Sequence, residues 1–351
     1  MIMSINFKTV PLTARLVGLG GDAIERRIDV RTNPVTGRKA RIAYGRQLEK
    51  EASLQELPPR PPTADDVESC PFCPGRLSSD TPQFIDDITS DGRLTRGRSV
   101  LFPNLFPYGA YSAVSLFDEH HFVEIGKAAV ESYADSFINC GEYLKRVLHY
   151  DNNAVFTGIT QNHLPSAGGS LVHPHLQVHA DSIGGNHHNL LYSRAEDFHK
   201  KYGSYLFSEY LGAEQKNEER LIGLTGSWNW LAAFAPEGFF EIWAILPGIF
   251  SFFELTDQDW YDLASGVIRV QHFYRSLCRN GYNLGLISIE NGQNVMELRL
   301  VILARSNYAP WVRSDFTGYE TMLGDMATFS PPEQTAELAR KFWRHDKTSC
   351  G

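Results

Sequence analysis

Two stretches of this chain repeat the same order of strand-like and helix-like patterns, and a repeat of this size restricts the folds open to the chain. Phe106-Pro107 in the first stretch corresponds to Ala235-Pro236 in the second, an offset of 129 positions. His175 corresponds to Arg299, an offset of 124. A helix pattern at 125–149 precedes His175, and a second at 257–280 precedes Arg299. We therefore expect an α+β fold with two similar halves, each an antiparallel sheet with one long helix.

Composition narrows the functional classes. Apolar residues make up 42% and charged residues 21% of the 351 positions, which excludes global disorder. The net charge of −8 argues against a nucleic-acid partner, which favours a basic surface. We see neither a membrane span nor a secretory signal, so no membrane association is expected. Five cysteines, most of them isolated, favour the reducing cytoplasm.

Local patterns predict further elements. Residues 27–46 alternate around Asn33-Pro34 and Thr36-Gly37, which is typical of a strand, a turn and a second strand. The charged, Pro-rich residues 47–69 predict a loop, and residues 181–220 predict partly helical structure. Further strand patterns lie at 97–117, 154–160, 171–180, 231–247, 282–288 and 296–304.

The strongest chemical signal lies on the strand predicted for residues 171–180. In a strand, alternate side chains share a face, so His173, His175, Gln177 and His179 are expected on one face. Three imidazoles are costly to bury without partners, and a Gly-rich stretch, Ala167-Gly168-Gly169-Ser170, precedes them. This pattern favours a phosphate or metal site.

These residue types suit phosphoryl or nucleotidyl transfer. A neutral imidazole is both a nucleophile toward phosphorus and a leaving group from it, so it can divide one transfer into two displacements. Backbone N–H groups of the Gly-rich turn and the Ser170 hydroxyl can approach phosphate oxygens. Gln177 is an uncharged donor for the same oxygens.

A second signal is Cys70-Pro-Phe-Cys73. A CxxC segment in a reducing compartment is either half of a tetrahedral zinc site or a redox pair. Because no second CxxC follows, histidines would complete a zinc site, and the candidates are His120, His121 and the strand histidines.

Taken together, these motifs resemble the galactose-1-phosphate uridylyltransferase family of the histidine triad superfamily. The resemblance rests on His173-Pro174-His175-Leu176-Gln177 (HPHxQ), Asn33-Pro-Val-Thr-Gly37 (NPLTG), Asn104-Leu105-Phe106, and Gly318-Tyr319-Glu320 followed by SPPEQTAELAR. It implies a duplicated histidine-triad-like fold of two antiparallel half-barrel sheets with packed helices. The N-terminal half would span 25–220, and the C-terminal half, lacking the histidines, would span 221–345.

The resemblance also implies roles for individual residues. His175 would be the nucleophile that carries the nucleotidyl group, assisted by Gln177 and Ser170. Substrate contacts would come from Arg46, Asn104, Phe106, Asn162, Gly169 and Glu320. Zinc would be held by Cys70, Cys73, His121 and His173. A homodimer is expected because subunits of the family complete each other's site.

Some family positions differ in this chain. The family's second metal strand, HWH, is Glu297-Leu298-Arg299, so that metal site is expected to be absent. A hexose-contacting Gln falls on Met326 and a preceding Lys on Ser314, which argues against galactose-type contacts. The base and the acceptor therefore stay open.

The leading hypothesis is a nucleotidyltransferase that acts on nucleotide sugars or sugar phosphates through a covalent nucleotidyl-histidine, transferring a uridylyl or adenylyl group to a phosphate acceptor. The alternatives are a nucleotide-sugar phosphorylase, a nucleotide hydrolase that uses water as the acceptor, and a non-catalytic zinc-stabilised nucleotide-binding module. The role of His179 stays open.

Overall fold

The computed structural model describes residues 5–17, 20–44, 63–306 and 315–344. Its strands are β1 (Thr9–Val17), β2 (Ala23–Thr32), β3 (Lys39–Ala43), β4 (Leu94–Arg96), β5 (Ser99–Pro103), β6 (Tyr111–Leu116), β7 (Phe156–His163), β8 (His175–Asp181), β9 (Leu221–Thr225), β10 (Trp228–Ala232), β11 (Phe239–Leu246), β12 (Gly281–Ile289), β13 (Leu298–Arg305) and β14 (Met326–Thr328). Its α-helices are α1 (Ala64–Ser69), α2 (Pro74–Asp80), α3 (Val130–Tyr150), α4 (Asn186–Tyr202), α5 (Leu206–Asn217), α6 (Asp257–Ser276) and α7 (Pro332–Ala339).

Ten strands form one sheet in the order β4-β5-β6-β8-β7-β12-β13-β11-β10-β9. Every neighbouring pair in this sheet is antiparallel. The fold is therefore α+β with antiparallel pairing, as the sequence predicts. The two expected sheets are joined into one, because β7 of the first half pairs with β12 of the second. This pairing leaves neither strand as an exposed sheet edge.

The main core lies on one face of this sheet, beneath α3 and α6. Leu176 and Val178 of β8 and Leu300 of β13 point into it and are fully buried. The two helices contact each other through Phe137 and Trp260, whose rings stack with centroids 5.5 Å apart. Thr256 caps the start of α6 in a reciprocal pair of hydrogen bonds with Asp259. The two helix patterns of the sequence thus become one layer over a common sheet.

The opposite face of the sheet is covered in two separate places. Phe102, Val114 and Leu116 form a small cluster against Phe72 of the CxxC segment. In the C-terminal half, α4 and α5 cover the sheet with residues such as Phe207. His175, Gln177 and His179 of β8 also face this side, where their side chains are only half-buried. The candidate catalytic face thus lies between two apolar clusters.

A second sheet has the order β1-β2-β3-β14, in which β14 is parallel to β3. Arg31 of β2 forms an ion pair with Glu333 of α7, 2.8 Å apart, and also donates to the carbonyl of Phe234. Asn33 donates to the carbonyl of Ala235. Residues 25–44 therefore contact the C-terminal half, and the predicted division at residue 220 stays a prediction.

Two local predictions need correction. Residues 64–69, placed in a loop, form helix α1, because Thr63 and Asp66 make a capping box at its start. The strand predicted from 171 begins at His175, since Pro174 lacks the N–H that an internal strand residue donates. The strand-turn-strand pattern around Asn33 is confirmed by the pairing of β2 with β3. Within the described ranges, no helix has the length and apolar character needed to cross a bilayer.

Candidate active site

Cys70, Cys73, His121 and His173 come together although they are far apart in the chain. Their ligand atoms all lie within 4.8 Å of one another. The Sγ atom of Cys73 is 3.4 Å from Nδ1 of His121 and 3.7 Å from Nδ1 of His173. Two sulfur and two imidazole nitrogen atoms at such spacing can hold one metal ion.

The chemistry of this cluster fits a cation. Both cysteines are buried, and Nε2 of His121 is buried with no hydrogen-bond partner in the described part of the chain. Burial and the neighbouring Cys70 raise the pKa of the Cys73 thiol to about 11, so a thiolate forms here at neutral pH only beside a positive charge. Cys73 also forms the N-cap of α2, which fixes the CxxC turn.

The sequence pattern predicts His173 on the same strand face as His175, and this prediction is wrong. His173 precedes β8, is buried, and its ring turns toward the two cysteines. Its Nε2 donates to the carbonyl of Asp118 at 3.0 Å, which leaves Nδ1 for a metal. His120 instead contacts the Asp118 carboxylate at the surface, with 2.8 Å between Nδ1 and Oδ1.

The orientation of His175 is set by its own neighbour. Its Nδ1 donates to the carbonyl of His173 at 2.7 Å, so the lone pair resides on Nε2. The ring of Phe72 packs edge-on against it, with centroids 5.4 Å apart. Burial lowers the pKa of His175, and the hydrogen bond to His173 opposes this only in part, so the imidazole is neutral at pH 7.

A cavity of about 370 Å³ lies on the same face of β8. Gln177 and His179 of β8 form its floor, and Thr160 of β7 lines it beside them. His188 from α4 and Asn104 from the loop after β5 enclose the sides. A volume of this size accommodates a small organic ligand.

The loop between β5 and β6 borders this cavity. The Asn104 side chain accepts a hydrogen bond from the N–H of Phe106 at 3.1 Å, which closes the turn. Phe106 is 77% exposed, and Tyr108, which borders the cavity, is also exposed. Asp181, at the end of β8, accepts from the N–H of Ala110 and ties the loop to the strand.

The Gly-rich turn folds back onto β7. The N–H of Gly169 donates to the carbonyl of Leu164 at 3.0 Å, and a Cβ on Gly169 would lie 2.8 Å from the backbone oxygen of Asn162. Gly168 has φ +86°, which disfavours other residues there. Ser170 follows this turn and is exposed. Only glycine therefore allows the turn to lie this close to Asn162.

The C-terminal half supports Asn162, which the sequence analysis did not foresee. Asn283 of β12 donates to the Asn162 side-chain oxygen at 2.6 Å and to the carbonyl of Ala167 at 2.9 Å. Arg305 donates to the Asn283 oxygen at 2.8 Å and is itself paired with Asp315. No local motif marks these residues, because they meet Asn162 only through the pairing of β7 with β12.

His163 is a second residue that the motif analysis missed. Its ring stacks on Tyr282 with centroids 4.8 Å apart, and within the described ranges its buried Nε2 has no hydrogen-bond partner. Burial, and to a smaller extent His175, lowers the pKa of His163 to about 4. The only sequence signal was its place directly after Asn162.

Of the predicted site residues, Gln177 and Asn104 line this cavity, whereas the other described ones do not: His175, Ser170, Phe106, Asn162, Gly169 and Glu320. Arg46 lies outside the described residues, as does Ser314. Glu320 accepts hydrogen bonds from Thr317 and Ala327 and lines another cavity, beside Arg38. Met326, where the resembling family has a hexose-contacting Gln, is buried in β14.

The comparisons with known proteins bear on the fold. No protein-family model matches the chain. A protein of Archaeoglobus fulgidus without a functional name is 28% identical over 327 residues, which are 93% of this chain and 95% of that protein. A GalT-like protein from Arabidopsis thaliana has a TM-score of 0.68 at 19% identity and covers 89% of this chain and 98% of its own.

Two further solved structures have the same fold. An ADP-glucose phosphorylase from Arabidopsis thaliana with bound ADP-glucose has a TM-score of 0.68 at 20% identity, covering 90% of this chain and 99% of its own. A uridylyltransferase has a TM-score of 0.66 at 18% identity, covering 89% and 97%. The resemblance to the galactose-1-phosphate uridylyltransferase family is thus confirmed at the level of the fold, which this chain shares over about nine-tenths of its length.

Proposed function

We propose that this protein is a nucleotidyltransferase that acts on nucleotide sugars or sugar phosphates through a covalent nucleotidyl intermediate on His175. The observation that carries the proposal is the hydrogen bond from Nδ1 of His175 to the His173 carbonyl, 2.7 Å long. It holds the neutral tautomer whose Nε2 is a nucleophile. Gln177, two residues along the same strand face, lines the adjacent cavity.

The reaction takes two displacements at one phosphorus atom. Nε2 of His175 attacks the α-phosphorus of the nucleotide donor, a P–N bond forms, and the bond to the bridging oxygen breaks. The sugar phosphate leaves with that electron pair. A phosphate oxygen of the acceptor then attacks the same phosphorus, and the P–N bond breaks, which returns neutral His175.

The neighbouring residues have distinct roles in this proposal. Gln177 and Ser170 donate to the phosphate oxygens, and the Gly169 turn lets the backbone approach them. Asn162, held by Asn283, contacts the same group. Asn104 and Phe106 border the nucleoside, Arg46 adds positive charge at the phosphate, and Glu320 contacts the sugar.

We propose zinc as the ion of the Cys-His cluster. Two thiolates and two imidazoles are ligands that zinc prefers, and tetrahedral bonds of about 2.0–2.3 Å place such ligands roughly 3.5 Å apart. The separations of 3.4 Å and 3.7 Å around Cys73 fit this spacing. Since four protein ligands fill the coordination sphere, zinc would be structural and would tie the CxxC segment to His173.

We also propose that the two halves, 25–220 and 221–345, are a duplicated histidine-triad-like unit. Leu116 pairs with His175 in one half, and Ile245 pairs with Arg299 in the other. These two pairs are related by the offsets of 129 and 124 found in the sequence. The strand orders β4-β5-β6-β8-β7 and β9-β10-β11-β13-β12 agree with such a duplication.

A homodimer is the proposed assembly. Its support is the exposure of apolar side chains on β1, at the edge of the second sheet: Val10, Leu12 and Leu16. An exposed apolar edge strand is open to pairing with another chain. Light scattering on the purified protein should give twice the chain mass of 39.5 kDa, and a monomeric mass would contradict the proposal.

Labelled donors test the covalent step. Two kinds of donor are used, each labelled at the α-phosphate: UDP-sugars and ADP-glucose. ADP-glucose is the nucleotide sugar bound in one structure of the same fold. We expect label on denatured wild-type protein, stable to base and labile to acid, and none on His175→Gly. Metal content and melting temperature of the variant show whether it is folded.

The second half-reaction separates the alternatives. Release of the label by a sugar phosphate indicates a transferase, release by inorganic phosphate a phosphorylase, and release by water alone a hydrolase. Loss of the nucleophile should lower turnover by several powers of ten. Absence of an adduct with every donor, or a labelled His175→Gly, would reject the mechanism.

A further inference from the structure

A second cavity, of about 360 Å³, lies on the same sheet face in the C-terminal half. Its apolar wall is formed by Trp243, Ile287, Val301 and Leu303. Its polar wall contains Thr36, Arg38, His187, Glu237, Glu241 and Arg299. None of these residues belongs to the proposed catalytic site. The cavity is nearly as large as the one beside Gln177.

Arg299 is the unusual member of this wall. The residue is 8% exposed, and its Nε and Nη1 atoms are buried with no hydrogen-bond partner among the described residues. The guanidinium stacks over Trp243, 4.1 Å from the ring centroid, with Phe207 at 5.0 Å. Cation–π contacts do not satisfy N–H donors in the guanidinium plane. A buried cation with unmet donors is costly unless it has a partner.

The nearest carboxylates already have other partners. Glu241 accepts from the indole N–H of Trp243 and from the backbone N–H of Glu237. Glu237 forms an ion pair with Arg38, 3.1 Å apart. Burial, followed by the charge of Glu237, raises the pKa of Glu241 to about 7, so this carboxyl is only partly ionised at neutral pH. Neither group lies within ion-pair distance of Arg299 in the described part of the chain.

We propose that this cavity is a second binding site, for a small molecule that presents a phosphate or carboxylate to Arg299. Nε and Nη1 donate from different edges of the guanidinium, and each can give a charge-assisted hydrogen bond to an oxygen of such an anion. Trp243 and the aliphatic wall would contact the apolar or ring part of the ligand. Thr36 and Glu237, which also line the cavity, offer hydrogen-bond groups to its hydroxyls.

The site is separate from the proposed catalysis. Arg299 occupies the position in β13 that pairs with Ile245, as His175 in β8 pairs with Leu116. An arginine cannot act as a nucleophile because it stays protonated. The cavity therefore binds an anion without reacting with it, and its occupation need not depend on His175.

Calorimetric titration of the full-length protein with three probes tests the site: inorganic phosphate, adenosine 5′-monophosphate, and benzoate as a carboxylate without phosphate. We expect at least one probe to bind wild type, and Arg299→Met to weaken that binding about tenfold to a hundredfold, the loss of a charge-assisted hydrogen-bond pair. Arg299→Gln keeps an amide donor, so its affinity for the probe should lie between those of wild type and Arg299→Met. Arg275→Met, at an exposed arginine, is the matched control.

The His175→Gly variant separates this site from the proposed function, because it should keep the Arg299-dependent binding whether or not it turns over. The probe that binds identifies the anion as a phosphate or a carboxylate. Arg299→Met should also melt at or above the wild-type temperature without ligand, since it replaces a buried cation by an apolar chain. Unchanged affinity in both Arg299 variants, or no binding of any probe at millimolar concentration, would overturn the proposal.

Discussion

Nδ1 of His175 lies 2.7 Å from the backbone oxygen of His173, the residue whose own ring faces Cys70 and Cys73. One residue therefore contributes its side chain to the Cys-His cluster and its carbonyl to the candidate nucleophile. Any change that moves His173 is expected to alter the tautomer or direction of the His175 ring. The proposed zinc site and the proposed transfer should therefore be lost together.

Cys73→Ser should lower metal content, melting temperature and nucleotidyl transfer together. The substitution removes one of the four proposed metal ligands and weakens the link between the CxxC segment and His173. Metal analysis and thermal unfolding of the purified variant measure the first two effects. Cys278→Ser is the matched control, because Cys278 is exposed and lies outside the cluster. Equal metal content and stability in the two variants would contradict the assignment of Cys73 as a ligand.

Asn283→Asp should reduce the turnover number about thirtyfold while donor affinity changes little. The aspartate keeps the oxygen that faces Arg305 but loses the donors to Asn162 and Ala167, about 1 kcal/mol for each hydrogen bond. Steady-state kinetics separate kcat from KM. Asn291→Asp, at an exposed turn, should behave as wild type. A variant with unchanged kcat would show that Asn283 does not position Asn162 for the reaction.

Gly158→Ala should raise KM for the nucleotide donor at least about tenfold. A Cβ at this position of β7 would lie 2.5 Å from Nε2 of His179, so the imidazole must move within the cavity it lines. Gly285→Ala on β12 makes the same chemical change, but its Cβ would meet no atom within 4 Å. We expect wild-type kinetics from the second variant. Identical KM values in the two variants would show that His179 does not contact the nucleotide donor.

The pH dependence of folding should contain a contribution from His163. Its pKa is about 4 in the folded chain against about 6.5 when unfolded, so the unfolded state binds more protons between these values. This contribution to the free energy of unfolding is complete above pH 6.5 and is lost progressively as the pH falls from 6.5 to 4. The total loss is about 3 kcal/mol. At pH 5 the loss is about 2 kcal/mol.

His163→Phe tests this contribution because phenylalanine retains a ring that can stack on Tyr282 but cannot titrate. Urea unfolding at pH 8 and pH 5 gives the change in free energy of unfolding for each protein. The wild type should lose about 2 kcal/mol more than the variant on going to pH 5. Parallel losses in the two proteins would mean that His163 is not held neutral by burial. Other buried histidines, such as His188, are present in both proteins, so their contributions to the pH dependence cancel in the comparison.

The alternation of side chains explains why part of the site could be predicted from sequence. In a strand, residues two apart share a face whatever surrounds them, so His175, Gln177 and His179 were placed correctly. The spacing of Cys70 and Cys73 likewise needs only a local turn, which the start of α2 provides. The two long helices follow from the spacing of their apolar residues.

Tertiary structure decided what depends on the register between distant strands. His173 lies off the predicted strand face for two reasons. Pro174 delays the start of β8, and the His173 ring packs against the thiol of Cys70 in the CxxC segment. Asn283 supports Asn162 only because β7 pairs with β12, an antiparallel contact between residues 121 positions apart. The buried, unpaired donors of Arg299 also arise from packing between β13, β11 and α5. Local spacing predicts which side chains share an element, whereas long-range pairing decides which elements meet.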